Sequence, residues 1–299
     1  MRILITGGTG LIGRHLCKAL LAKGHLLTVL SRRPETVAVK CGAAVQAMAS
    51  LEEWRTDRTF DAVINLAGEP IVDAYWSEER KQQLRASRVG LTEKLVQCIA
   101  AAKQKPGVLL SGSAVGYYGN GGDKELDENA GAGDDFAADL CREWEAAAQA
   151  VEKSGVRVCL LRTGLVLSEN GGLLGRMLLP FKLGLGVRLG DGKQWMSWVH
   201  IEDYVSMVLR MLGDEQMRGP FNMTAPQPVT NAEFTRTLAR TLHRPAIFAA
   251  PGMVLQLAMG ERAALLLEGQ RVLPAKLMAA GCPFRFPNLA GALSDVLGR

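Results

Sequence analysis

No two of the six cysteines (Cys17, Cys41, Cys98, Cys141, Cys159 and Cys282) stand at C-x-x-C spacing, and none joins a histidine at metal-ligand spacing. A zinc module and a thioredoxin-type redox pair are thereby excluded, and no metal site is expected. Most of these cysteines lie in apolar patterns, as Cys98 does in LVQCIA and Cys159 in VRVCLL, which reads as buried free thiols in a reducing compartment. There is no run of five or more basic residues, although 35 Lys+Arg against 30 Asp+Glu give a net charge of +5. A nucleic-acid partner is therefore not expected. Long apolar runs are missing too. The longest weakly polar stretch, IFAAPGMVLQLAMG, is too short to span a bilayer and contains Pro251. The first residues, MRILITGG, run straight into a strand and a glycine turn without an apolar leader. The expectation is a cytoplasmic protein with no membrane partner.

What is present suits an ordinary globular protein of one large domain or two smaller ones: 299 residues, 48% hydrophobic and 22% charged. Short apolar runs, RILIT, LLTVL, AAVQAMA, FDAVINLAG, GVLLSGS and VRVCLLRTG, alternate with helical patterns. Those patterns include Leu11 to Leu21, a long one from Glu78 to Ala102, and DFAADLCREWEAAA. Continuous apolar strands separated by helices predict a doubly wound parallel α/β sheet. After about residue 165 glycine and proline cluster, and the last 50 residues look helical. Thr230 to Glu233 reads as a capping box opening one of those helices. Two parts are expected, 1–165 and a smaller lobe over 166–299, with about 196–215 a candidate return to the first.

The strongest motif is ILITGGTGLIGRHL. Gly7, Gly10 and Gly13 follow a strand and open a helix, with Thr9, Leu11 and Ile12 completing the turn. Glycine at these places permits the sharp turn, the close approach of backbone to a pyrophosphate, and tight packing of helix on strand. The second strand ends in Ser31, Arg32 and Arg33, where a free ribose 2′-hydroxyl would call for Asp or Glu. Two guanidinium groups and a hydroxyl suit a 2′-phosphate, so the expected cofactor is NADP(H). Leu66, Ala67 and Gly68, in NLAG at the end of the fourth strand, are expected to line its adenosine side.

TGGTGLIG, NLAG, SGSAVGYYG and LRTGLVL, in that order, resemble the extended short-chain dehydrogenase/reductase superfamily. PFKLGLGVRLGDGKQWMSWVHIEDY, NMTAPQPVTNAEF and LPAKLMAAGCPFRFPNLAGAL are similar to the YfcH-type epimerase-family proteins, an atypical branch. The resemblance implies a Rossmann domain, a nicotinamide cofactor that Thr163 of LRTGLVL also contacts, and a substrate lobe. Standard members of the superfamily use a serine, a tyrosine, a lysine and often an asparagine. By the same resemblance the serine falls on Ser113, with Ser111 a close competitor, the lysine on Cys141, the tyrosine on Ala137 and the asparagine on Arg88. Three of the four are replaced, and the atypical branch is similar in having Cys and Arg at two of those positions.

Positions 137, 141 and 145 share one helix face, which the fold would turn toward the nicotinamide, while Phe136, Leu140, Trp144 and Ala148 form an adjoining core stripe. Cys141 could serve as a weak acid if Arg88 lowered its pKa, or could be a small core residue. Lys81, Arg85 and Arg88 fall at helical spacing, with Lys81 read as solvated. Tyr117 and Tyr118 are stand-in acids, and Trp76, Trp195 and Trp198 are candidate pocket walls. His200 is read as structural, ending a strand before Asp203 caps the next helix. The expected function is an NADP(H)-dependent oxidoreductase or epimerase-like enzyme on a small molecule, a nucleotide sugar or a carbonyl compound. The alternative is a non-catalytic NADP(H)-binding sensor or scaffold. A homodimer through residues 78–102 is an expectation by analogy.

Overall fold

The computed structural model describes residues 1–55, 58–169 and 171–299. A parallel sheet of seven strands lies at its centre: β1 (Arg2–Thr6), β2 (Leu26–Leu30), β3 (Gln46–Met48), β4 (Ala62–Asn65), β5 (Val108–Ala114), β6 (Arg157–Thr163) and β7 (Gly219–Met223). Their order is β7-β6-β5-β4-β1-β2-β3, with every neighbouring pair parallel. This is the doubly wound α/β arrangement that the alternating runs predict, and its topological switch lies at β1, between β2 and β4.

Alternate residues of each strand serve opposite faces of the sheet. Ile3, Ile5, Val29, Leu110 and Leu161 pack with Leu16 and Leu20 of α1 (Leu11–Ala22), near the short α2 (Val37–Cys41). Leu4, Val63, Leu109 and Leu160 face the other way, onto α4 (Leu91–Ala101) and α5 (Phe136–Gln149) through Leu95, Ile99 and Ala148. α4 is preceded by α3 (Glu78–Arg85), which starts on the side chain of Ser77 accepting the N–H of Arg80. The expected long helix is thus interrupted. Residues Ala86–Gly90 form a π-helical turn that joins α3 to α4. Such turns displace the side chains they carry, and this one carries Arg88.

The second half of the chain begins with α6 (Gly172–Lys182) and returns to the sheet twice. α7 (Ile201–Gly213) lays Tyr204, Met207, Val208 and Met211 on the same sheet face as α1. Gly219–Met223 then supplies β7, a strand that the sequence reading did not anticipate. Its Gly-Pro start argues against a strand, but β7 is at the edge of the sheet, where proline is tolerated. A third cluster brings Leu174, Leu178 and Phe181 of α6 against Phe234, Leu238 and Leu242 of α8 (Asn231–Leu242), with the fully buried Trp198 among them. Thr230 opens α8 by accepting the N–H of Glu233.

The start of α7 corrects one sequence expectation. His200 is its N-cap, with Nδ1 accepting the N–H of Glu202 at 3.1 Å. Asp203 instead is buried inside the first turn, and its carboxylate accepts the N–H groups of Arg285 and Phe286 at 2.9 and 3.0 Å. It therefore ties the C-terminal segment to α7. No helix among the described residues is long and apolar enough to cross a membrane.

Candidate active site

β1 ends at Thr6 and turns through Gly7, Gly8, Thr9 and Gly10 into α1. Gly7 holds φ +70°, and a Cβ there would lie 2.6 Å from the carbonyl carbon of Leu66. A Cβ on Gly13 would stand 2.4 Å from the Gly7 oxygen. Both positions require glycine for space, and Gly7 requires it for conformation as well. No side chain caps α1, and its first turn holds no acidic residue. The N–H groups of Leu11, Ile12 and Gly13 are the donors that a helix start leaves without intrahelical partners. Together they make an anion cradle at the positive end of the helix dipole.

NLAG is fastened to this turn by a buried network. Thr6 Oγ1 donates to Asn65 Oδ1 at 2.7 Å and accepts the N–H groups of Leu66 and Ala67 at 3.2 and 3.1 Å. Asn65 Nδ2 donates to Thr92 Oγ1 at 2.8 Å and to Ser111 Oγ at 3.2 Å. Ser111 is thereby committed to the core. On the other side of β1, Ser31 Oγ accepts the N–H of Arg33. The Arg32 side chain is 90% exposed, yet it donates to Glu69 Oε1 at 2.7 Å. Arg33 is exposed.

The region expected to carry chemistry surrounds the carboxyl ends of β5 and β6. Ser113 Oγ donates to Glu145 Oε1 at 2.7 Å. Arg162, from β6, holds that carboxylate in two-pronged fashion, Nε to Oε1 and Nη2 to Oε2, each at 2.9 Å. Its third nitrogen donates to the Tyr118 hydroxyl at 2.9 Å, and Tyr118 donates to Asn222 Oδ1 of β7 at 2.7 Å. Glu128 completes the set by accepting the N–H groups of Asn222 and Lys276. The Arg162 guanidinium carbon sits 3.5 Å from the centre of the Tyr117 ring. Charge pairing and π contact offset the desolvation of this buried arginine. The sequence reading placed position 145 only on the helix face it shares with 137 and 141. The signal for its partner was present: Arg162 is one of two charges, with Arg157, inside the otherwise apolar run VRVCLLRTG.

Ala137, Cys141 and Glu145 do share one buried face of α5. Burial pushes the Cys141 pKa up to about 11, outweighing the opposing effects of the Ala114 backbone, Ser113 and Arg88. Arg88 is itself held in place: Nη2 donates to the Glu69 carbonyl at 2.8 Å, and the guanidinium lies over Trp144. A Cβ on Gly68 would come within 3.0 Å of its Cζ. Of the two tyrosines, Tyr118 is 4% exposed, with its pKa pushed up to about 12, chiefly by burial. The Tyr117 ring is half-buried, and no described hydrogen bond uses its hydroxyl. It stands on the turn Val115–Tyr118, where Gly116 faces Ala137. Thr163 Oγ1 donates to the Leu161 carbonyl and bonds Tyr204.

Other sequence candidates fall elsewhere. Trp198 is core, while Trp195 Nε1 donates to Asp123. Trp76 meets Phe136 edge to face and lines a cleft of about 490 Å³ with Tyr75, Lys81, Met259 and Glu261. Phe136 is half-buried against Trp76 and Lys81 and lies outside the core stripe expected of it. Lys81 is not a solvated side chain, because it pairs with Glu261 at 2.9 Å and lies over Phe136. His200 Nε2 is 3.2 Å from Asp295 Oδ2 but lacks hydrogen-bond alignment. With Nδ1 already accepting a backbone N–H, Nε2 carries the proton and has no lone pair for a cation.

Comparison with known proteins agrees with this architecture. The model of the NAD dependent epimerase/dehydratase family matches residues 3–223, and a domain of unknown function matches residues 250–296. The chain is 41% identical to an epimerase family protein of Mycobacterium leprae, ML0860, over 98% of this chain and 94% of that one. It is 39% identical to SDR39U1 of Bos taurus, over 99% and 100% of the two chains. The crystal structure of human SDR39U1 (isoform 2) with NADPH superimposes with a TM-score of 0.91 at 37% identity, covering all of both chains. By the match of its first three quarters and by its full-length relatives, the chain belongs to the NAD dependent epimerase/dehydratase family.

Proposed function

We propose that the protein is an NADP(H)-dependent oxidoreductase or epimerase-type enzyme acting on a small molecule. One observation carries this reading: an uncapped helix start behind glycines that admit no Cβ, opening beside Ser31, Arg32 and Arg33. The N–H groups of Leu11, Ile12 and Gly13 would hold the pyrophosphate, with Thr9 and Gly10 closing the turn. Arg32 and Arg33 would hold the 2′-phosphate. Leu66, Ala67, Gly68 and Thr163 would border the remaining length. A relative crystallised with NADPH supports the same choice. The bound nicotinamide supplies a hydride donor or acceptor.

The proton falls to the chain's own side chains. Ala137 carries none to give, Cys141 stays a neutral thiol, and Tyr118 is locked in the core. Tyr117 is the acid that remains, on the turn that faces position 137. Ser113 is fixed by Glu145 and Arg162 as a positioning residue, because its hydroxyl proton is already given to the carboxylate. Arg88 holds the loop after NLAG. We propose that the cleft beside Trp76 and Phe136 receives the substrate, and that the chain from about 166 onward supplies most of its far wall. Free cysteines, five of the six buried, support a cytoplasmic setting.

The test is hydride exchange from NADPH across a panel of carbonyl compounds and nucleotide sugars. Tyr117→Phe should lower kcat by ~10²–10⁴-fold, while Cys141→Ala leaves it unchanged. The dependence of turnover on Cys141 with indifference to Tyr117 would refute the assignment. The second reading, an NADP(H)-binding sensor or scaffold, is favoured by the missing Tyr/Lys pair. It is supported if cofactor binds and no member of the panel turns over.

A further inference from the structure

The Arg32–Glu69 pair has a position that its exposure conceals. Arg32 follows β2 and Glu69 follows β4, and these strands flank β1. An ion pair of 2.7 Å between them therefore spans the carboxyl end of β1, above the turn that begins at Gly7. In an open α/β sheet this is the crevice that takes the adenosine half of a dinucleotide. Glu69 is otherwise well anchored, since Ser87 Oγ pairs with its N–H and Arg88 donates to its carbonyl. Its carboxylate has a second cation within reach. Arg80 Nη1 lies 4.0 Å from Glu69 Oε2, and Arg80 Nε is buried without a hydrogen-bond partner.

We infer that Arg32, Glu69 and Arg80 form a latch over the nucleotide crevice, with Glu69 the residue that holds it closed against any entering nucleotide. The inference rests on the NADP(H) reading. Closed, Glu69 holds Arg32 across the turn. Open, Glu69 swings to Arg80 and satisfies the unpartnered nitrogen, which frees Arg32 for an incoming 2′-phosphate. A phosphate dianion gives the released guanidinium a better partner than one carboxylate. A nucleotide with a free 2′-hydroxyl must open the same latch and gains no charge pair in return. Arg32 therefore supplies the discrimination, while Glu69 imposes on both nucleotides the same opening cost. An exposed pair is weak, so the latch is light enough to open on binding.

Calorimetric titration of full-length protein with NADP⁺ and with NAD⁺ tests the latch. Glu69→Gln should tighten both nucleotides by about two- to five-fold, the equilibrium weight of one exposed ion pair. Arg80→Met should loosen both, because the displaced carboxylate loses its second partner. Thermal melts establish that each variant is folded, and Glu69→Gln alone decides if Arg80→Met is not. Unchanged or weaker affinity of Glu69→Gln for either nucleotide would overturn the latch. Wild-type protein that binds neither nucleotide would instead sink the cofactor reading itself, so the two failures are distinct.

Discussion

Arg162 and Glu145 show what one buried charge pair demands of its surroundings. Their side chains are 4% and 7% exposed, all three guanidinium nitrogens donate, and both carboxylate oxygens accept. Arg162→Met would leave Glu145 uncompensated in the core and take a donor from Tyr118. Urea unfolding should show a loss of about 3–5 kcal/mol, the usual cost of breaking a buried pair by removing one partner. An exposed arginine such as Arg142 should cost almost nothing by comparison. The sequence revealed the arginine but not its purpose. A charge inside an apolar strand announces a buried partner, yet the partner lies 17 residues away on another element, and spacing does not disclose it. The same holds for Glu69, which the sequence reading did not single out and which is tied to three arginines.

At the scale of elements, the glycine turn was the most legible feature, since each glycine answers to a steric need visible in the spacing alone. Gly13→Ala forces a methyl to 2.4 Å from the Gly7 oxygen and 2.6 Å from the Gly8 Cα. Backbone on both sides cannot yield as a flexible side chain would, so α1 must shift. The expected cost is about 1–3 kcal/mol of stability, with loss of cofactor affinity measured by titration. Gly90→Ala is the control: nothing lies within 4 Å of its Cβ, and a helical glycine replaced in open space should gain about 0.5–1 kcal/mol. The π turn at Ala86–Gly90 could not be foreseen. Apolar periodicity places a helix but does not register one extra residue in a turn, and that residue decides where Arg88 points.

For the molecule as a whole, the alternation of strands and helices disclosed the sheet, and the edge strand β7 escaped because Gly219 and Pro220 mask it. The division at residue 165 is correspondingly blurred, with α7 and β7 both packed into the first layer. The proposed catalytic arrangement was the least legible part. Resemblance located the vacated tyrosine and lysine positions, whereas choosing Tyr117 over Tyr118 needed the hydrogen bonds that immobilise Tyr118. What would unite the proposed site is a phosphorylated dinucleotide, and its capture is directly measurable. Calorimetry of the folded protein against NADPH and NADH should register NADPH as the tighter ligand. Arg32→Ala combined with Arg33→Ala should erase that preference, with NADH binding up to about five-fold tighter once the Arg32–Glu69 pair is gone. No heat from NADPH, or equal affinity for the two nucleotides in the unaltered protein, would contradict the assignment.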